Sequence, residues 1–241
     1  MSVLTVYSWP EQSAAAVTAL SEHVLVVLSI ASPPAASREW ARQQLRLAVR
    51  DLLSCAYACT SEQLVLERQP GQVPGLNLSI PGHQIALSIS HESGLSIAAI
   101  RTRQRNDALE HIEHSEQQPN EAEVGAEARV EDSAEASSKN EYAHLDWKVG
   151  VDLLKLAYIP DWQAVATLYL GPEVSAAIAA TDPAQQMACF ALHWAQLEAR
   201  CKCQGLGLSE WSVSSNADTA AYRYQQLDLP TGYVGALAIK I

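Results

Sequence analysis

The chain has 241 residues, of which 48% are hydrophobic, and a formal net charge of −11 at pH 7. This length suits one large domain or two of roughly 100 residues each, and the acidic balance disfavours nucleic acid as a partner. The longest apolar run, residues 24–31, is far short of the roughly 20 residues that span a bilayer. With no signal-peptide pattern, we expect a cytoplasmic protein with no membrane partner and reduced cysteines.

In the first part of the chain, residues 3–9 have the alternation of an opening strand. Ser37 is a good N-cap for a helix from Arg38 to about Ala58, whose apolar stripe is Leu45, Val49, Leu52 and Leu53. A glycine-containing turn at residues 92–94 then joins two alternating segments, residues 87–91 and 95–100. This pattern predicts a β-hairpin.

A strongly acidic segment follows the hairpin. Residues 107–141 contain eleven acidic and two basic residues, a net charge of −9. Such a segment buries too little apolar surface to offset its ordering entropy, which predicts a mobile loop or linker. We therefore divide the chain into an N-terminal lobe (1–102), an acidic insertion (103–145) and a C-terminal lobe (146–241).

The C-terminal part predicts a strand, three helices and further strands. Residues 149–153 alternate as in a strand, and helices are expected after Asp161, from Gly171, and from Asp182 to Gly205. Residues 209–214 and 232–241 have the alternation of β segments. Helices followed by antiparallel strands in both parts predict an α+β fold of two similar α/β lobes.

Two segments carry side chains suited to chemistry. Trp194, Glu198 and Lys202 follow one another at four-residue intervals, so a helix would place them along one face. Asp152 is an acid inside an apolar strand, and the neighbouring Gly150 would let a ligand approach the backbone closely. An exposed Glu–Lys pair without function is the alternative reading of the helix segment.

Three motifs together resemble the 4'-phosphopantetheinyl transferases of the surfactin-synthetase-activating type. They are Leu87-Ser-Ile-Ser-His91, Gly150-Val-Asp-Leu153 and Trp194-x-x-x-Glu-Ala-x-x-Lys202. Their order and spacing agree with that family, and the resemblance runs from about Arg38 to Leu208. It implies a pseudo-dimeric fold in which one chain forms both lobes, so that a monomer builds the active site.

The resemblance also implies an activity and its residues. The 4'-phosphopantetheine arm of coenzyme A would pass to a serine of an apo acyl or peptidyl carrier protein, releasing adenosine 3',5'-bisphosphate. Asp152 and Glu198 would bind Mg²⁺, Glu198 would also accept the serine proton, and Lys202 would neutralise the leaving phosphate. The residues expected to bind coenzyme A are His91, Ser90, Arg38 and Arg42.

Two residues depart from the family pattern. Leu154 stands where many members have a second acid, and Leu197 stands where a lysine often precedes the glutamate. A non-catalytic homologue that binds coenzyme A or a carrier protein is therefore the main alternative. An unrelated α+β protein in which Asp152 and Glu198 never meet is another, and in that case His91 and the arginines of the first long helix are structural or solvated.

Overall fold

The computed structural model describes residues 3–33, 35–60, 64, 76–80, 82–104, 148–213 and 221–241. Within these residues the chain forms nine strands and five helices, the mixture expected for an α+β protein. In chain order the elements are β1 (Val3–Leu4), β2 (Val6–Ser8), α1 (Ser13–Glu22), β3 (Leu25–Ala31), α2 (Arg38–Tyr57), β4 (Leu76–Ile80), β5 (His83–Glu92), β6 (Leu95–Gln104), β7 (Val149–Lys155), α3 (Trp162–Tyr169), α4 (Pro172–Ala179), α5 (Pro183–Gln204), β8 (Tyr222–Leu227) and β9 (Tyr233–Lys240). None of the described helices is both long and apolar enough to cross a membrane.

The strands form two sheets. The first has five strands in the order β2-β3-β6-β5-β4, and the second has four in the order β1-β8-β9-β7. Neighbouring strands are antiparallel except for two parallel pairs, β2 with β3 and β1 with β8. The predicted opening strand is therefore split, because β1 joins the second sheet and β2 joins the first. The predicted hairpin is β5 and β6.

The helix boundaries follow the capping residues that the sequence predicts. The Ser37 hydroxyl accepts a hydrogen bond from the amide of Trp40 at the start of α2, and the Asp182 carboxylate accepts one from Ala184 at the start of α5. Helix α5 ends at Gly205 in the left-handed conformation (φ 76°), which glycine adopts without strain. Helix α3 begins after Asp161 as predicted, although the Asp161 side chain makes no capping hydrogen bond.

Each sheet contributes to a hydrophobic core. Helices α1 and α2 cover one face of the first sheet, and the predicted stripe of α2, from Leu45 to Leu53, is fully buried there. A second core contains Val27 and Ile97 from the first sheet and Val151, Leu153 and Leu237 from the second. The two sheets are therefore packed against one another through apolar side chains.

Helix α5 packs closely on the second sheet at Gly150. A Cβ atom on this residue would lie 1.8 Å from the backbone oxygen of Ala199 and 2.6 Å from the backbone nitrogen of Cys203. No other amino acid could occupy the position without moving the helix. Gly150 was expected to let a ligand approach the backbone closely. It instead lets the backbone of α5 approach, and this brings Glu198 and Lys202 towards β7.

The prediction of a strand at residues 209–214 is wrong for the residues that the structure describes. Residues 209–212 form no helix or strand, and the amide of Trp211 donates to the carbonyl of Leu168 at the end of α3. The Trp211 indole packs against Gly171, so tertiary contacts take the place of strand pairing here. The predicted acidic insertion (103–145), apart from residues 103 and 104 of β6, lies outside the described residues. The lobe boundaries and the similarity of the lobes stay predictions.

Candidate active site

The candidate site lies where β5 of the first sheet meets the outer edge of β7. Strand β7 is the last strand of its sheet, so the outward amides of Val151 and Leu153 need partners from elsewhere. Val151 donates to the Ser88 hydroxyl (3.0 Å) and Leu153 to the Ser90 hydroxyl (3.4 Å). Serine side chains of β5 thus hold the edge of β7, and we call this contact the β5–β7 junction.

Asp152 is the acid at this junction, and its side chain is only 4% exposed. One carboxylate oxygen, Oδ1, accepts hydrogen bonds from the Ser90 hydroxyl and from the Lys202 ammonium, both at 2.7 Å. A buried carboxylate requires such partners, because burial without them is very unfavourable. Since both donors use Oδ1, the other oxygen, Oδ2, remains for further contacts.

Lys202 connects three pieces of the chain. Its Nζ atom donates to Asp152 and also to the backbone carbonyls of Ile89 in β5 (3.3 Å) and Val151 in β7 (3.2 Å). An ammonium has three N–H groups, so these three oxygens can use all of them. The side chain is 27% exposed. Lys202 therefore stabilises the junction as well as the charge of Asp152.

Glu198 lies one helical turn before Lys202 and is half-buried. The Trp194 indole donates to its Oε1 atom at 2.8 Å, so the predicted face of α5 is formed by these three side chains. Burial raises the pKa of Glu198, and so do the charge of Asp152 and a hydrogen bond with it, whereas Lys202 and the Trp194 indole lower it. The two carboxyl groups thus lie close enough to influence each other, and the raised pKa makes Glu198 a stronger base than an ordinary glutamate.

Trp194 is itself held by aromatic packing. Its ring lies 5.9 Å from that of Phe190 on the same helix and meets Tyr169 of α3 edge-on at 5.6 Å. Aromatic neighbours fix the indole plane, and the plane fixes the direction of its N–H group. Trp194 therefore orients Glu198 from a position outside the junction.

A second group of predicted residues lies on the other face of β5. His91 lines a cavity of about 200 Å³ together with Arg38 and the 92–94 turn. Its Nδ1 atom is 2.9 Å from the Ser96 hydroxyl, while its buried Nε2 atom has no hydrogen-bond partner in the described part of the chain. When the Ser96 hydroxyl donates to Nδ1, the ring proton is on Nε2, which can then donate to a ligand.

The cavity is electropositive. Burial, followed by the charges of Arg42, Lys202, Arg38 and Arg46, lowers the pKa of His91 from 6.5 to about 4. At neutral pH His91 is therefore uncharged, and the arginines supply the positive charge. Of the two predicted arginines, Arg38 lines the cavity directly, while Arg42 forms an exposed ion pair of 3.9 Å with Glu39. A neutral donor beside several guanidinium groups can bind a phosphate.

Ser90, another predicted coenzyme A ligand, lies on the opposite face of β5 from this cavity. Consecutive side chains of a strand point to opposite faces, so His91 faces α2 while Ser90 faces β7. Ser90 is 5% exposed and is bonded to Asp152. Its contact with Asp152 could not be predicted from the sequence, because the two residues lie in different sheets and are 62 positions apart.

Sequence analysis also missed Tyr233. Its hydroxyl donates to the backbone carbonyl of Ser93, in the turn that lines the His91 cavity. A Cβ atom on Gly94 would lie 2.6 Å from the same hydroxyl. Tyr233 belongs to β9 of the second sheet, so this contact fixes the turn from across the molecule. An isolated tyrosine in an apolar strand carries no sequence signal for such a role.

Leu197, one of the two departures from the family pattern, lies on a different face of α5. It lines a separate cavity of about 310 Å³, together with His193, Arg200, Tyr169, Trp211 and Tyr224. Burial lowers the pKa of His193, and it raises the pKa of Tyr224 although Arg200 opposes that shift. The side chain of Leu197 is therefore directed away from the junction between Asp152 and Lys202.

The junction offers two carboxylates for a metal ion. Among the described residues no group of three or more His, Cys, Asp and Glu side chains is arranged to hold one. Mg²⁺ commonly uses only one or two carboxylates and completes its six ligands with water and substrate phosphates. The adjoining acids Asp152 and Glu198 meet that requirement, and the electrostatic repulsion between them favours a cation.

Comparison with known proteins identifies the part of the chain that carries this junction. Residues 148–230 match the model of the 4'-phosphopantetheinyl transferase superfamily. The matched segment includes Asp152, Glu198 and Lys202. No curated protein matches the chain. The acids that meet at the β5–β7 junction thus lie in the segment that resembles known transferases.

Proposed function

We propose that this protein transfers the 4'-phosphopantetheine arm of coenzyme A to a serine of an apo acyl or peptidyl carrier protein. The observation that carries the proposal is the neighbouring position of the Asp152 and Glu198 carboxyl groups, with Lys202 bound to Asp152 at 2.7 Å. These acids lie within the segment that matches the transferase superfamily. An unrelated scaffold would have no reason to bring them together.

The nucleotide end of coenzyme A would bind in the His91 cavity. Its phosphates would receive the Nε2–H of His91 and the guanidinium of Arg38, with Arg42 and Arg46 adding positive charge nearby. A phosphate needs donors and positive charge, and this cavity supplies both. His91 and Ser90 lie next to the end of β5 at Glu92, so the pyrophosphate would pass around the end of this strand to reach the acids at the junction.

Asp152 and Glu198 would hold Mg²⁺ between them. A bound ion neutralises negative charge on the pyrophosphate and fixes its orientation, which is the chemistry that this reaction requires. Leu154 places no third acid at the site, so water and phosphate oxygens would complete the ligand shell. The two carboxylates keep the junction negative enough to attract a divalent cation despite the ammonium of Lys202.

In the transfer step the carrier serine hydroxyl attacks the phosphorus that bears the pantetheine arm. A new P–O bond forms to the serine, and the bond to the bridging oxygen of the pyrophosphate breaks. Glu198 accepts the serine proton, and adenosine 3',5'-bisphosphate leaves. Without the ion, burial and the charge of Asp152 raise the pKa of Glu198, and a base works best when its pKa is nearer to the working pH.

Lys202 would stabilise the departing phosphate by its charge. Because its Nζ atom already donates to three oxygens, direct contact with a phosphate requires it to leave one of the two backbone carbonyls. These bonds are longer than the bond to Asp152, so they would break first. Lys202 would thereby keep its ion pair with Asp152 while it turns towards the substrate.

A mass-spectrometric assay tests the proposal. Apo acyl carrier protein is incubated with coenzyme A and this protein, with Mg²⁺ or with a chelator, and the carrier mass is followed over time. We expect a gain of one phosphopantetheine group that requires the metal. Glu198→Gln should lower the initial rate about 10²–10⁴-fold, the usual contribution of a general base.

The matched control is Glu210→Gln, which removes the same charge at an exposed position outside the junction. This variant should transfer at the wild-type rate. If no carrier gains mass while coenzyme A still binds, the protein is a non-catalytic homologue and the transferase proposal fails. If coenzyme A does not bind either, the nucleotide site is wrong as well.

A further inference from the structure

We infer that Ser90 is a positioning residue that fixes the Asp152 carboxylate for the metal ion, and that it acts on coenzyme A only through Asp152. The inference rests on the proposed function, since it concerns the metal site of that reaction. It differs from the sequence prediction, in which Ser90 binds coenzyme A directly.

The hydrogen bonds of Ser90 give its hydroxyl one direction. The amide of Leu153 points at its oxygen at 3.4 Å, which occupies a lone pair. A serine hydroxyl has a single proton, and the Asp152 Oδ1 atom lies 2.7 Å away to receive it. Ser90 is 5% exposed, so water does not replace this bond easily. The hydroxyl is thus a neutral donor aimed at one oxygen of the carboxylate.

This bond determines how Asp152 presents its other oxygen. The terminal torsion of an aspartate is broad, so a carboxylate without fixed partners can rotate. Ser90 donates to Oδ1 from strand β5, and Lys202 donates to the same atom from helix α5, so two hydrogen bonds fix this oxygen. Oδ2 is then kept for the ion that Glu198 shares. Lys202 alone is a weaker constraint, since it gives up one of its backbone carbonyl partners when it meets a phosphate.

Ser88 provides a matched control on the same strand and the same face. It is also 5% exposed, and its hydroxyl accepts from the amide of Val151 at 3.0 Å. Replacing either serine by alanine removes a hydroxyl from the β5–β7 junction. Of these two serines, only Ser90 touches the Asp152 carboxylate. A general effect of losing a junction hydroxyl should therefore appear in both variants, whereas an effect on the position of the carboxylate should appear only in Ser90→Ala.

The test compares wild type, Ser90→Ala and Ser88→Ala. Mn²⁺ affinity is measured by calorimetry without carrier protein. In the transfer assay, the dependence of the rate on Mg²⁺ is measured first, and the KM for coenzyme A is then measured at saturating metal. Loss of a residue that orients a metal ligand typically weakens metal binding about 10–100-fold. We expect Ser90→Ala to weaken Mn²⁺ binding at least about tenfold, with the KM for coenzyme A unchanged. Ser88→Ala should bind the metal as wild type does.

Two results overturn the inference while leaving the proposed function intact. One is an unchanged metal affinity with a raised KM for coenzyme A, which makes Ser90 a direct ligand. The other is an equal loss in both variants, which makes both serines structural. If wild type itself shows no metal response, the proposed metal site fails and the inference with it. If Ser90→Ala does not fold, Ser90→Cys takes its place in the test. Cysteine is similar in size to serine and is a weaker hydrogen-bond donor, so this variant must also bind Mn²⁺ more weakly than wild type.

Discussion

Burial and the charge of Asp152 raise the pKa of Glu198, and a hydrogen bond from Trp194 lowers it. Trp194→Phe removes the N–H donor but keeps an aromatic ring to pack against Phe190 and Tyr169. Because the indole lowers the pKa of Glu198, its removal should raise that pKa further. We expect the acid limb of the pH–rate profile to move to higher pH. The initial transfer rate between pH 5 and pH 8 checks this.

An unchanged acid limb in Trp194→Phe would show that another group controls the profile. Glu198→Gln supplies the control, since a variant without an ionisable group at this position should lack the acid limb in its residual activity. A lower rate with the same limb would instead assign Trp194 a packing role.

His91 makes stability depend on pH. Its pKa is about 4 in the folded protein, against 6.5 for an ordinary histidine. Between these values the unfolded chain binds a proton that the folded chain does not, so the free energy of unfolding decreases as the pH falls from 6.5 to 4. His91→Gln should lose less stability than wild type between pH 7 and pH 5. Urea unfolding at both pH values measures the difference, and equal losses would contradict it.

Sequence reasoning identified the ionisable residues of the site but not all of their contacts. Spacing on a helix predicted that Glu198 and Lys202 share one face, and the family resemblance implied that they meet Asp152 of the strand. The partners of Ser90 and Tyr233 were not found. Each contact joins the two sheets, and no local pattern in a single sequence records which strands meet in space.

At the scale of elements, the contact between α5 and β7 sets the distance between the acids. Gly150→Ala would place a methyl group 1.8 Å from the Ala199 carbonyl oxygen, so the helix must shift. Overpacking in a core commonly lowers stability by about 1–3 kcal/mol. We expect a loss at or above the upper end of this range, because the added methyl group would clash with backbone atoms. The shift should also reduce transfer by separating Glu198 from Asp152. Thermal unfolding and the transfer rate measure both effects.

Gly207→Ala is the control for this prediction. A Cβ atom on Gly207 would meet nothing within 4 Å, and its φ lies outside the left-handed range, so stability and transfer should stay at wild-type levels. Wild-type stability in Gly150→Ala would show that the helix is less tightly fixed than the structure indicates.

The elements that were predicted correctly have strong local signals. Helices α2 and α5 begin at a serine and at an Asp–Pro pair, and α5 ends at a glycine, all of which act through bonds within a few residues. The error at residues 209–214 has the opposite cause. Its alternation resembles a strand, but Trp211 packs against α3 and the Gly171 turn, and that contact is not local in sequence.

At the scale of the whole molecule, the site depends on both sheets. The N-terminal part supplies Ser90, His91 and the Ile89 carbonyl, and the C-terminal part supplies Asp152, Glu198 and Lys202. Strand β1 and a core shared by both sheets tie the two parts together. One chain therefore contains every residue that the proposed reaction requires, and the monomer stays a prediction.

The acidic segment, residues 107–141, lies outside the described residues but affects the charge of the whole chain. Acyl carrier proteins are themselves acidic, so we propose that the segment screens the approach of carriers or selects among them. Deleting it should raise kcat/KM for acidic carriers at low salt, with a smaller change at high salt, where charges are screened. Unchanged carrier preference and salt dependence would contradict this role.

The proposed reaction places one ion between Asp152 and Glu198 beside the pyrophosphate of coenzyme A. Crystals grown with coenzyme A and Mn²⁺, measured at a wavelength where manganese scatters anomalously, locate that ion directly. We expect an anomalous peak in contact with both carboxylates and with the pyrophosphate, and a nucleotide phosphate against His91. A peak that touches neither acid, or a nucleotide bound away from His91, would contradict it.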